Sequence, residues 1–532
     1  MPKTKSSEGV LALDVGTSSV RAVVYGSRGQ MLAPTLCDLS YKVRTTDPGE
    51  VSSNPDELVR LIATTIDAAL KGARKEKIDI IAAATACYWH SLMGVDRKGR
   101  PTTEVLTWAD TRSASETRNL RTELDERAYH SRTGCFFHAS FWPAKLRWLR
   151  ETRRPAVART VRWISLAEYL YHRLLGEYRV SLSIASGTGL FDVHRCHWDP
   201  EALEVAGIDA DHLSPLADRD QAMSGLRPPF AKRWPQLRDI PWFLPLGDGA
   251  LANVGAGCVD PRWLCATIGT SSALRVILDQ NDLTIPWGAF VYRLDKARYV
   301  LGGALSEGGN VVRWFTAGLG HQQKKELARA AAAVPPDSHG LTVLPFWAGE
   351  RSPNWRGDAR AVITGLSLGT RPAHMLRASM EAITYQLVVV ATAIDHAVPR
   401  PRAVIATGGQ LIHSAAWRQM LADALHRPVT TSPEREASSR GAALLALEAL
   451  GRLPRLWSSS PPRGRSRACP AAPARPLRPA LSPARRARAR DPYRRGGIRF
   501  QKEGSSKPSR QTLMPLRPNS YISGSFRRSV SV

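Results

Sequence analysis

The chain has 532 residues, 43% of them apolar, and a formal net charge of +27, long enough for two domains with their own cores and a cleft between them. No run approaches the ~18 consecutive apolar residues of a membrane helix, and the opening MPKTKSSEGV lacks the apolar centre of an export signal, so a cytoplasmic protein with no membrane partner is expected. The seven cysteines show no CxxC spacing and read as reduced thiols, not a zinc site or a disulfide frame.

In chain order, strand-like runs (LALDVG, AVVYG, DIIAAATACYW) alternate with helical ones (PDELVRLIATTIDAALKGA, SFWPAKLRWLRET, SLAEYLYHRLLG) up to about residue 245. A second series begins near WFLPLGDGALANVGAG and continues through WLCATIGTSS and ARYVLGGAL. It then runs through a long helix from about Pro372 to His396, the strand AVIATGGQL, the helix SAAWRQMLADALH, a short strand near PVTTS and the small-residue helix ASSRGAALLALEALG. Interleaved strands and helices predict an α/β class. The organisation expected is an N-terminal domain over 1–245, a C-terminal domain over 246–455 and a tail over 456–532.

The charge is concentrated in that tail. Residues 451–532 carry 20 Lys and Arg against 2 Asp and Glu, while the rest of the chain carries 54 against 45. The tail is dominated by Pro, Arg, Ala and Ser without helical or strand period, and such a segment buries too little apolar surface to offset its ordering entropy, so disorder is expected. Three readings of it compete: a basic arm for nucleic acid or acidic lipid, an inert extension, or the product of a shifted reading frame in GC-rich DNA. The composition favours the shifted frame, and nucleic-acid binding is expected only as a nonspecific property of the tail.

One tetrapeptide occurs twice in matching surroundings. Gly16-Thr17-Ser18-Ser19 lies in LALDVGTSSVRAVVY, and Gly269-Thr270-Ser271-Ser272 lies in WLCATIGTSSALRVIL. Each follows one apolar run and precedes another, which reads as strand, tight turn and returning strand. Successive backbone N–H groups in such a turn make an anion nest, and the hydroxyls add donors. Two such grips half a chain apart suggest a duplicated fold closed around one nucleotide. Asp14, two residues ahead of the first grip, is well placed to hold Mg²⁺ through water. Gly408-Gly409, after a strand, and Gly308-Gly309, after ARYVLGGALSE, leave room for a flat ring or its ribose, although a glycine pair also satisfies an ordinary turn. Gly441-Ala442-Ala443 open a helix whose small residues allow close approach.

Taken together, these segments resemble the FGGY family of carbohydrate kinases over roughly residues 9–453. LALDVGTSSVRAVVY is similar to the family's first phosphate segment, with Arg21 where Lys is common. LGDGALANVGAG resembles the segment of the catalytic Asp, here Asp248, ATIGTSSALR the second phosphate segment, and IATGGQLIHSAAWRQMLADAL the adenosine segment. Ala361–Glu381 fits the family's second signature, with Gly365-Leu366, His374 and Ala378-Ser379-Met380-Glu381. The first signature keeps Lys145, Leu146, Trp148 and Leu149, but Trp142 stands where Pro is usual and Pro143 follows one place later.

The resemblance implies two actin-like (ribonuclease H-like) domains around a nucleotide cleft, with ATP and Mg²⁺ as cofactors and Asp248 accepting the proton of a sugar hydroxyl. A homodimer is compatible with it. YWHSLMGVD, LTWADTRS, TGCFFHASFWPAKLRWLRE and GDGALAN look more like the gluconate branch than the xylulose branch, and a ketopentose is the second choice. His90, Trp108, Asp110 and Arg112 are the candidates for the sugar site. Trp108 offers an apolar face, and Arg112 or His138 could meet a substrate carboxylate. Lys145 and Trp148 are expected to be structural. An actin-like or Hsp70-like ATPase is the alternative from another class, since it shares paired phosphate loops, but the WADTR and GDGA segments favour the kinase.

Overall fold

The computed structural model describes residues 7–280 and 282–456; the tail reading falls almost entirely on 457–532, outside the described residues. Two sheets organise the chain. In the first, β1 (Ser7–Val15), β2 (Ser19–Gly26), β3 (Cys37–Ser40), β4 (Ile78–Cys87) and β5 (Leu246–Gly247) lie in the order β5-β4-β1-β2-β3. In the second, β6 (Trp263–Ile268), β7 (Ser272–Asp279), β8 (Phe290–Arg293), β9 (Arg298–Leu305), β10 (Ala403–Thr407) and β11 (Val429–Thr431) lie in the order β8-β9-β7-β6-β10-β11.

The two sheets repeat one plan. β1 and β2 are antiparallel, and β4 and β5 run parallel on the other side of β1. Likewise β6 and β7 are antiparallel, while β10 and β11 run parallel beside β6. Each GTSS tetrapeptide is therefore the turn of the first hairpin of its sheet, as the sequence predicts. The central strands carry near-continuous apolar residues because both faces are covered: Val10, Leu11, Ala12 and Leu13 are almost wholly buried, as are Leu264, Ala266 and Ile268.

The helices form for local reasons. Helix α1 (Pro55–Lys75) starts at Asn54, whose side chain accepts the backbone N–H groups of Asp56 and Glu57, with Pro55 at the first position. Acidic residues open it and Arg74 and Lys75 close it, complementing the helix dipole. Helix α2 (Trp142–Thr152) buries Trp142, Lys145 and Leu149. Helix α3 (Asp248–Gly255) begins directly after β5, and α4 (Pro372–Ala397) covers the second sheet.

Helix α5 (Ala437–Ala449) packs on α3, β1 and β4. Its approach to α3 explains two glycines. A Cβ on Gly255 would lie 1.8 Å from the Ala437 carbonyl, and one on Gly441 would lie 2.0 Å from the Leu251 carbonyl. The close approach that Gly441 permits is thus to another helix. The Gly441→Ala substitution should lower the unfolding free energy by about 1–3 kcal/mol. Gly369→Ala, where the added methyl meets only the Ser367 hydroxyl at 3.8 Å, should leave it unchanged. Urea denaturation of the two variants checks this.

Candidate functional site

The parallel pairing sets the site. Register places Val15 and Gly247 both opposite Cys87, so Asp14, the first grip, residues 88–90 and Asp248 emerge at one end of the first sheet. Ligands of open α/β sheets bind at this carboxyl end. In the second sheet Thr267 pairs with Thr407, so Gly269 and Gly408 emerge together.

Asp248 is half-buried at the first position of α3, where its Oδ1 accepts the Gly249 N–H at 2.7 Å. Burial raises its pKa, opposed mainly by the nearby Arg275 and further by Arg351. Two glycines flank it for a steric reason. Cβ atoms on Gly247 and Gly249 would lie 1.9 and 2.6 Å from the Trp89 indole, which is fixed by its Nε1–H to the Ser183 carbonyl at 2.8 Å. Trp89, to which the YWHS segment gave no role of its own, therefore shapes the Asp248 turn.

Asp14 is 8% exposed, and burial pushes its pKa up to about 7, with the Arg21 guanidinium working the other way and Asp248 adding to the rise. Arg21 lies opposite it in the β-ladder, 3.3 Å away, and also reaches Asp38 at 3.0 Å and Glu436 at 3.5 Å. Among the described residues no three His, Cys, Asp or Glu side chains gather as a metal cage. Asp14 and Asp248 are carboxyls in each other's field, and Mg²⁺ characteristically takes one or two carboxylates together with substrate phosphates and water.

In the first grip, the Gly16 N–H donates to the Ser19 carbonyl at 3.0 Å and the Tyr41 hydroxyl donates to the Gly16 carbonyl at 2.6 Å. Thr17 is half-buried and Ser18 exposed, whereas Ser19 is buried in β2. In the second grip, Thr270 is exposed, Ser271 half-buried, and the Gly269 N–H donates to the Ser271 carbonyl at 2.9 Å. The glycine pairs converge on this turn. The Gly309 N–H donates to the Gly269 carbonyl at 2.7 Å, and a Cβ on Gly308 would lie 2.8 Å from Ser271. Gly408 has a φ of +80°, and a Cβ there would lie 2.6 Å from the Ile268 carbonyl. Gly409, beside it, is exposed. Close backbone contact thus requires glycine at 308, 309 and 408.

The sugar-site candidates divide into two groups. His90 is buried, takes a φ of +67°, and donates from Nδ1 to the Gly187 carbonyl. Burial holds its pKa well below the usual value, so the ring is neutral and its other nitrogen is an acceptor. The uncommon backbone conformation is held by Lys145, which is fully buried and donates to the carbonyls of His90 and Thr107, both at 2.8 Å. Burial brings that lysine's pKa down to about 7. Trp108 lies half-buried beneath the Arg351 guanidinium, 5.1 Å from the ring centre. His138, whose pKa burial lowers to about 3, accepts the Ser140 N–H on Nδ1 at 3.1 Å and packs edge-on against Trp355.

Asp110 and Arg112 belong to a different cluster. Arg112 donates to Asp110 at 2.7 Å and to Glu104 at 3.2 Å, lies 3.8 Å from Glu50 and stacks on Trp148 at 4.7 Å. Its side chain is only 7% exposed. Asp110 in turn accepts the Val51 N–H at 3.1 Å. This ion cluster braces the Trp108 loop, and its guanidinium already has its carboxylates. The sequence reading passed over three groups around Asp248: the half-buried Arg275 and the buried Tyr292 and Arg351. Arg275 closes the ATIGTSSALR segment, where the phosphate reading drew on the turn and not on the arginine, and Tyr292 and Arg351 stand alone in apolar and loop text.

Two family profiles match the chain. The profile of the N-terminal domain of the FGGY family of carbohydrate kinases matches residues 9–255, and that of the C-terminal domain matches residues 264–450. A gluconokinase of Bacillus subtilis (strain 168) is 30% identical over 455 residues, 84% of this chain and 88% of that one. A glycerol kinase of Janthinobacterium sp. (strain Marseille) is 28% identical over 83% of this chain and 90% of that one. Two solved structures from Lactobacillus acidophilus, described as a gluconate kinase and a ligand-bound xylulose kinase, each superpose with a TM-score of 0.78 at 27% identity, covering 85% of this chain and 91% of theirs.

The raised pKa of Asp14 has a consequence for stability. Below about pH 4 the carboxyl is protonated both folded and unfolded. Between about 4 and 7 the folded state keeps a proton that the unfolded chain has released, so stability falls as pH rises; above 7 the cost is complete. Asp14→Asn removes this cost, on the order of a few kcal/mol. Its Tm should match wild type near pH 4 and exceed it increasingly up to pH 8, by differential scanning calorimetry without nucleotide. A difference independent of pH would show that Arg21 already compensates the charge.

Proposed function

The chain belongs to the FGGY family of carbohydrate kinases, and from that premise we propose that it phosphorylates gluconate to 6-phosphogluconate in the cytoplasm. It is an ATP-dependent carbohydrate kinase of this family. The finer choice of gluconate is supported by the gluconokinases of Bacillus subtilis and Bacillus licheniformis, 30% and 29% identical to it over 455 residues. The segments YWHS, WADTR and GDGALAN support the same branch. A ketopentose such as xylulose is the second reading, because the two structures from Lactobacillus acidophilus carry different substrate descriptions at equal similarity.

In the mechanism we propose, Asp248 accepts the proton of the substrate hydroxyl as the new oxygen–phosphorus bond forms, and the γ-phosphoryl group leaves ADP. Its raised pKa makes the carboxylate a better proton acceptor than a free aspartate. The first and second grips, with Gly308, Gly309, Gly408 and Gly409, hold the nucleotide. Asp14, with Asp248 acting on it through the field, would hold Mg²⁺, which would neutralise phosphate charge when bound. The two actin-like domains of the duplicated plan bring base and phosphate together and exclude water.

Two measurements test this. Asp248→Asn should lower kcat by ~10²–10⁴-fold while ATP still raises Tm; near-normal phosphorylation by the variant refutes the assignment. In a panel of gluconate, xylulose, ribulose and glycerol, gluconate should give the highest kcat/KM, and a clear preference for xylulose moves the chain to the other branch.

A further inference from the structure

We propose that Arg275, Arg351 and the Tyr292 hydroxyl form an anion-binding subsite beside Asp248 that receives the carboxylate of a sugar-acid substrate and selects it over neutral sugars. The inference rests on the gluconate reading and extends it to residues that the sequence did not assign to the substrate.

Three observations carry it. First, these donors are buried and unpartnered: Nε and Nη1 of Arg275, Nε of Arg351 and the Tyr292 hydroxyl have no hydrogen-bond partner among the described residues. An unmet buried donor is costly, and an unmet buried guanidinium more so. Second, they converge. Both guanidinium groups lie in the field of Tyr292 and of Asp248, and Arg351 lies in the field of Arg275. Arg275 sits 2.9 Å from where a Gly249 side chain would begin, one residue from the base. Arg351 lies over Trp108, and the Tyr292 ring packs 5.6 Å from His90 and 4.9 Å from Trp89. The subsite therefore lies between the base and the residues expected to hold the sugar.

Third, three other cationic side chains of the region are not available. Arg112 is bound to Asp110 and Glu104, Lys145 donates to two backbone carbonyls, and His138 is held neutral. Two like charges lie in each other's field, with Asp248 acting on both and Glu307 on Arg351. Such an arrangement is satisfied by an incoming anion. A planar carboxylate matches the fork of a guanidinium and also accepts from a phenol.

The test compares D-gluconate with D-gluconamide, which has the same shape but a neutral carboxamide in place of the carboxylate. Wild type should prefer gluconate. Because both arginines also act on Asp248, each Gln variant should lose some activity on either substrate, but Arg275→Gln and Arg351→Gln should each lower kcat/KM about 10–100-fold further for gluconate than for gluconamide, the extra loss lying mainly in KM. Arg→Lys at either position should restore part of the preference. Gluconate should raise the Tm of wild type but not of the Gln variants, a readout independent of turnover. ATP should raise the Tm of all of them, which shows that they fold. An equal loss on acid and amide, or a matching rise in the KM for ATP, overturns the subsite and assigns the arginines to phosphoryl transfer or to the fold, with the gluconate reading intact. A wild type that favours xylulose over gluconate overturns the substrate reading itself and the subsite with it.

Discussion

Two carboxyl groups at one sheet edge are the constraint on which the rest of this structure depends. Parallel pairing of β1, β4 and β5 brings Asp14 and Asp248 to the same end of the first sheet, where burial resists ionisation of both and the field of Asp248 adds to the rise at Asp14. The surroundings answer with arginines at graded distance. Arg21 touches Asp14 directly, whereas Arg275 and Arg351 act on Asp248 through the field alone, without an ion pair. A tight ion pair would stabilise the carboxylate but lower its basicity. A cation held off from it keeps both charge and proton affinity, as proton abstraction from a hydroxyl requires.

Rigid packing delivers this geometry. The Trp89 indole lies against Gly247 and Gly249 and so fixes the turn that carries Asp248. Lys145 spends its buried ammonium on two backbone carbonyls, which holds His90 in its left-handed conformation and anchors the strand leading to Trp108. Ser181 adds a third tie, donating to the Pro245 carbonyl at 2.5 Å, just ahead of β5. None of these residues needs to touch a substrate. Each removes freedom from one that is expected to, and small misplacements at a reacting centre are costly in rate.

The duplicated hairpins were legible in sequence because both determinants are local: apolar alternation for the strands and a repeated GTSS for the turns. The long helix was legible to within a residue, from Pro372 to its end at Ala397. The positions of Asp14 and Asp248 at strand ends could be read from apolar runs that stop at a carboxylate. Other features depend on contacts distant in sequence. Gly441 reads locally as a small residue that allows close approach, and only the crossing of α5 on α3 shows that it makes room for the Leu251 carbonyl. Arg112 reads as a cation free for a substrate, until Glu104 and Asp110 are seen to hold it. Arg275 and Arg351 are the converse case, since nothing in the sequence assigns either arginine to the substrate and the lack of partners is visible only in three dimensions.

Helix α5 joins these arguments. Chemically it is a small-residue helix at the end of the second series, yet it packs on β1 and β4 of the first sheet as well as on α3. At its start Glu436 reaches Arg21, which in turn holds Asp14, and the Ser438 hydroxyl donates to the Asp248 carbonyl at 3.3 Å. Ser439 meets the Tyr25 hydroxyl at 2.9 Å, on the strand returning from the first grip. A single helix therefore contacts the supports of both carboxylates and of the phosphate turn between them. Because its glycine allows the backbone of α3 to come so near, any loss of that crossing displaces Asp248 and Arg21 together. Stability and catalytic geometry are set by the same packing at this point, which is why a residue with no chemical function of its own must be glycine.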